Sequence, residues 1–131
     1  EQQALAPFAS QDYVRANPED SGEKVRSEME SRGHTESYII DPDGTLLGKL
    51  NIYQAISCKN EPVRGFMDNE PIILYGDESL KLAMVKVSQF VGESLPVVSK
   101  DNNQMIGSIA EGELFQAVID VQSRARTIER E

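Results

Sequence analysis

The feature that most constrains this chain is an internal repeat with a period of about 58 residues. Tyr13-Val14-Arg15-Ala16-Asn17-Pro18 matches Ile72-Ile73-Leu74-Tyr75-Gly76 as a short strand that ends in a turn. Ser21 matches Ser79, each a hydroxyl placed to accept from the open N–H groups of a helix start. One supersecondary unit is thus built twice. A copy of about 60 residues is marginal for an independent core, so the two are expected to share buried surface.

The elements follow from local pattern. In the second copy Leu80, Ala83, Met84, Val87 and Val91 recur at helical spacing, and Gly92 reads as a left-handed stop. The first copy has only Val25 and Met29 on its apolar face, with Gly33 as the stop. Its other face, Glu23 to Arg32, is a solvated surface of i,i+4 charge pairs. A hairpin follows in each copy. Ser37 to Ile40 turns through Asp41-Pro42-Asp43-Gly44, and Leu95 to Val98 turns through Ser99 to Asn103. Asp41 and Asp43 are read as turn residues, not as a metal site or acid–base pair. Each copy closes with a helix, the first capped by Asn51 over Ile52 to Ser57. The second runs from Glu111 to the C-terminus with Leu114, Val118, Val121, Ala125 and Ile128 on one stripe. That stripe outlasts the repeat and is expected to pack beyond its own module.

The expected organisation is a linker or arm over 1–12, a module over 13–57, a connector over 58–69, a second module over 70–120 and a helical extension over 121–131. Phe66 and Met67 of the connector are expected to pack onto the domain.

Thirteen Lys and Arg against 22 Asp and Glu give a net charge of −9, which excludes a broad nucleic-acid footprint and disfavours anionic lipid. No apolar run approaches the roughly 18 residues of a membrane span, so direct lipid insertion is not expected. The chain begins at Glu1 without methionine and reads as a piece of something longer. Cys58, the lone cysteine, is expected to be a buried small apolar residue. The chain lacks a Walker A loop, G-x-G-x-x-G, G-x-S-x-G and any metal-ligand cluster; one His and one Cys far apart make no nucleophile–base pair. Glu111 and Glu113 are carboxylates at a helix start, where the dipole favours them without catalysis. Neither enzyme activity nor a resident metal is expected.

The order strand–helix–strand–strand–helix, given twice, is carried by Glu36 to Gly48 and by Leu95-Pro96-Val97-Val98 followed by Met105 to Ile109. It resembles a cystathionine-β-synthase (CBS) domain pair over nearly the whole chain. The resemblance implies an α+β fold of two βαββα modules packed through their sheets, with a long C-terminal helix. It also implies two inter-module clefts, which in many such pairs hold adenosine, AMP, ADP or ATP, and assembly into homodimers. The ribose signature of that family reads Gly48, Asn51 and Gln54 in the first copy and Gly107, Ala110 and Glu113 in the second. Only Glu113 keeps a carboxylate, so it is the expected ribose anchor. By position, Thr35, Tyr38 and Ile39, with Pro96 and Val97, would surround adenine. His34 would either stack on the base as a neutral ring or be a polar loop residue, and Arg15 would meet phosphate or be a solvated strand-end charge. The copies most resemble the cytosolic tails of CLC-type chloride channels and transporters. That would put the chain on the cytoplasmic side of a membrane, partnered by the membrane-embedded part of its parent. Two functions stay open, a ligand sensor and a structural dimerisation module, and the parent is alternatively another transporter or a nucleotide-metabolism enzyme.

Overall fold

Two three-stranded sheets organise the chain, each laid down by the same sequence of elements. The computed structural model describes residues 3–90 and 92–130, with side chains to residue 127. The first module comprises β1 (Val14–Ala16), α1 (Gly22–Arg32), β2 (Glu36–Ile40), β3 (Leu46–Asn51) and α2 (Ile52–Cys58). The second comprises β4 (Leu74–Tyr75), α3 (Leu80–Val87), β5 (Leu95–Val98), β6 (Met105–Ile109) and α4 (Glu111–Arg130). In both, the first strand runs parallel to the second, and the second pairs antiparallel with the third. This is the expected α+β pair of βαββα modules with its long last helix.

Local chemistry explains most boundaries. Ser21 and Ser79 accept from the N–H groups of Lys24 and Leu82, capping α1 and α3. Gly33 closes α1 at φ 72°. Asp41 accepts from the N–H groups of Asp43 and Thr45, which makes it a builder of the turn that Gly44 completes at φ 89°. One boundary differs from expectation. α3 stops at Val87, and Gly92 lies at φ 153°, a glycine-favouring extended backbone and not a helical stop. Phe90, just past α3, packs on the second module's core while Lys49 of the first lies over its ring, and Val91 lies outside the described residues.

Each module buries its own core between sheet and helices. Val25, Met29, Ile39 and Leu50 fill the first, with the buried Cys58 beside them. Leu74, Leu80, Val97, Ile109 and Leu114 fill the second. A third cluster joins the sheets: Tyr13, Tyr38, Ile40 and Leu46 of the first module meet Val98 of the second. The ring of Tyr13 packs edge-on against Tyr38 at 5.6 Å. The shared surface demanded by small copies is therefore this inter-sheet layer.

The segments ahead of β1 and β4 are exchanged. Ala4 bridges to Ser79 and Ser10 to Ser108, which docks the arm on the second module. One repeat later, Pro62 bridges to Ser21 and Asp68 to Lys49, which docks the connector on the first. Leu5 is fully buried in the second core, and Val63 is fully buried in the first. Each copy's leading segment thus completes the opposite module. Met67 packs on the first core as expected, whereas Phe66 is 37% exposed.

The stripe of α4 divides along its length. Leu114 is buried, and Val118 and Val121 pack against the core of their own module. Ala125 is exposed, and the side chain of Ile128 lies outside the described residues. Among the described residues of α4 the large apolar side chains left uncovered are Phe115 and Ile119, on a neighbouring face.

Candidate functional site

Repetition of the modules creates two clefts at equivalent places, each bounded by the start of one module's last helix and a loop of the other. The larger encloses about 350 Å³ and is bordered by Lys49, Asn51, Gln54, Asp68, Ile72 and Phe90. The smaller encloses about 220 Å³ and is bordered by Asp12, His34, Glu93, Ser108, Ala110 and Glu113. Lys49 and Ser108 hold the same repeat position, as do Gln54 and Glu113, yet the two clefts carry different chemistry.

In the larger cleft Lys49 is the organising residue. Its Nζ lies 2.9 Å from Glu36, 2.5 Å from the Ser94 carbonyl and 4.6 Å from the centroid of the Phe90 ring. The Lys49 side chain is only 12% exposed, and its ammonium is held by charge, carbonyl and aromatic face together. Phe90 and Ile72 supply apolar surface nearby, and Asp68 supplies a second carboxylate.

The smaller cleft is acidic. The imidazole of His34 sits between Glu93 at Nδ1 and Asp12 at Nε2. Its hydrogen bonds to Glu93 and Asp12 outweigh desolvation and raise its pKa above the ordinary 6.5. Carboxylates thus engage both edges of the ring, and His34 is a polar residue of the loop after α1. Thr35 donates its N–H and its hydroxyl to Glu93 and is itself exposed.

The remaining predicted residues divide by strand geometry. Alternation along β2 and β5 turns Ile39 and Val97 into the two module cores, while Tyr38 enters the inter-sheet layer. The Tyr38 hydroxyl bonds Ser94 Oγ at 2.6 Å, and Pro96 is buried. None of these four borders either cleft. Arg15 is exposed on β1 and borders neither. Gln54 and Glu113 do reach the clefts, one in each, but both also cap a helix. Gln54 accepts the N–H of Asn51 and Glu113 that of Ala110. Sequence reasoning missed Lys49, Phe90, Asp12 and Glu93. For Lys49 a signal existed, since it directly follows Gly48 of the ribose signature.

Residues 63–120 match the family model described as the CBS domain. No curated protein matches the chain in sequence. Among solved structures, CBSX2 in complex with AMP superposes with a TM-score of 0.78 at 18% identity, over 91% of this chain and 98% of that one. CBSX2 is a CBS-pair protein from Arabidopsis thaliana. The fold is that of a CBS domain pair. A CBS domain pair/ACT domain protein from Thermotoga maritima gives a TM-score of 0.80 at 14% identity, over 91% of this chain and 98% of that one. The cytosolic domain of the Mg²⁺ channel MgtE, in complex with ATP, gives 0.77 at 16% identity, over 89% of this chain and 49% of that one. Among the described residues no helix is long and apolar enough to cross a membrane, and no group of three His, Cys, Asp or Glu side chains is arranged to hold a metal.

Proposed function

We propose that this CBS pair is a regulatory module, without catalysis of its own, that takes an adenosine-bearing ligand in the larger cleft beside Lys49. The chemistry of that cleft carries the reading. Phe90 and Ile72 offer apolar walls for a purine, Lys49 a cation for phosphate, and Asp68 a carboxylate for ribose hydroxyls. Structures of similar fold hold AMP in CBSX2 and ATP in MgtE, which supports the ligand class. Two carboxylates, Glu36 and Asp68, border the cleft with the single ammonium, so a nucleoside or monophosphate suits it better than a triphosphate.

Calorimetry with adenosine, AMP and ATP tests this. AMP is expected to bind more tightly than ATP. Lys49→Met should weaken AMP about tenfold while leaving adenosine nearly unchanged. Asp68→Asn, at an exposed position, should weaken both alike. Absence of heat with every ligand would leave the pair as a dimerisation module.

A second site is proposed in the smaller cleft, with Glu113 as its ribose anchor. It is the only carboxylate at the signature's acidic position, and one of its oxygens is committed to Ala110. The pair is also proposed to form a two-fold homodimer through Tyr53 and Ile56 of α2 and Phe115 and Ile119 of α4, all more than two-fifths exposed. Sedimentation showing only monomer at tens of micromolar, about the range where weak dimers form, would refute it. In its finer form the reading places the pair in the cytosolic tail of a CLC-type chloride transporter, on the charge-rich α1 and the long α4. Apolar spans in the parent chain ahead of residue 1 are then expected, and a parent without them is not a membrane protein of this kind.

A further inference from the structure

The smaller cleft contains a side-chain cluster that ligand binding does not require. His34 is the only histidine of the chain, and carboxylates face both of its ring nitrogens, Glu93 at Nδ1 and Asp12 at 3.0 Å from Nε2. A neutral ring has one N–H and one acceptor lone pair, so only an imidazolium donates to both. The three residues belong to three bodies. His34 follows α1 of the first module, Glu93 precedes β5 of the second, and Asp12 ends the arm docked on the second. Arg32 of α1 reaches Asp12 at 3.3 Å. Glu36 of β2 accepts the N–H of Glu93, and Glu113 of α4 borders the same cleft.

We propose that Asp12, His34 and Glu93 form a proton-operated latch that ties the arm and both modules together across the smaller cleft. With the imidazolium present both ties hold. Loss of its proton turns one ring nitrogen into a lone pair facing a carboxylate, so one tie becomes repulsive. The Asp12 side chain is 75% exposed and that of Glu93 30%, so the arm's tie to Asp12 is the one released. Ser10, two residues from Asp12, is paired with Ser108 at the cleft wall, and this edge of the arm loosens with it.

The direction of the pH response follows. The raised pKa of His34 means that the latch stabilises the fold fully below pH 6.5, the ordinary imidazole value, and that this stabilisation is lost as pH rises through the elevated one. The hydrogen bond from His34 holds the carboxyl of Asp12 below its usual range. Burial pushes Glu93 up, but bonds from His34 and Thr35 outweigh it and hold that carboxyl low as well. Their contribution is present above the ordinary carboxylate values and is lost only as pH falls through the depressed ones. The latch is therefore closed from mildly acidic pH up to the elevated imidazole value.

Because His34 is the sole histidine, its ring resonance titrates alone in an NMR spectrum of the whole chain. The expected midpoint lies above 6.5, and Asp12→Asn, at an exposed position, should lower it. The exchange protection factor of the Ser10 amide, which donates to the Ser108 carbonyl at 2.7 Å, should fall about threefold as pH passes that midpoint. In His34→Gln the protection factor should not vary over the same range; should that variant not fold, Asp12→Asn gives the same comparison. A midpoint at or below 6.5, a midpoint unmoved by Asp12→Asn, or Ser10 protection that ignores the titration would each overturn the latch.

Discussion

Gln54 and Glu113 do the same work in the two modules: each reaches back three residues, to the N–H of Asn51 or Ala110, at 2.8 Å. Both stand at the acidic position of the ribose signature. A side-chain oxygen is needed there to begin a helix whether or not a ligand is present.

The two roles of Glu113 separate by substitution. Glu113→Ala should lose about 0.5–1 kcal/mol of stability, because the N–H of Ala110 loses its partner. Glu113→Gln keeps an accepting oxygen and should melt close to wild type. A ligand effect seen in Glu113→Gln without a stability change would mark charge, not folding, as its cause; equal melting of the Ala variant and wild type would remove the capping role.

Leu5 tests the exchanged arm. It is fully buried among Leu74, Leu80 and Leu114, so Leu5→Ala should cost about 2–4 kcal/mol in urea unfolding. A loss below half a kilocalorie, roughly the value for a surface position, would mean that the arm is an undocked linker.

Gly22 tests the contact of α1 with α2. A Cβ there would stand 2.4 Å from the Ala55 carbonyl oxygen and 2.6 Å from Cys58 Cβ, both fixed by α2. Gly22→Ala should destabilise the fold by about 1–3 kcal/mol, although alanine is the better helix former. A rise in the denaturation midpoint would show that the helices separate easily.

Tyr38 sets the alkaline limit. Burial pushes its phenol well above the ordinary value of 10.0. A raised folded-state pKa means that its stabilising contribution is complete below the unfolded phenol value and lost as pH rises beyond it. Tyr38→Phe should cost about 0.5–1.5 kcal/mol near neutrality, where Ser94 Oγ loses its partner, and flatten the decline above about pH 10. Parallel pH–stability curves for the two proteins would contradict this.

Much of the architecture was legible locally. Ser21, Ser79, Asn51 and Gly33 mark helix ends, and Gly44 and Asn103 mark hairpin turns through positive φ. These are neighbour-to-neighbour effects, and neighbours are visible in a string. The arm was not legible, because Leu5 and Phe8 are its two large apolar residues and make no sustained period. The burial of Leu5 depends on a cavity lined by residues from the other copy.

The candidate site follows the same division. By itself the sequence determined that there are two like modules, that each is marginal in size for a core of its own, and that one signature carboxylate, Glu113, survives. Tertiary structure alone decided that Ile39 and Val97 are spent on the cores, that Lys49 meets Phe90 in one cleft, and that His34 meets Asp12 and Glu93 in the other. The reason is physical. Strand alternation and helix period fix which way a side chain points relative to its own backbone, whereas a cleft is formed by side chains from opposite modules, whose meeting depends on how two buried sheet faces pack.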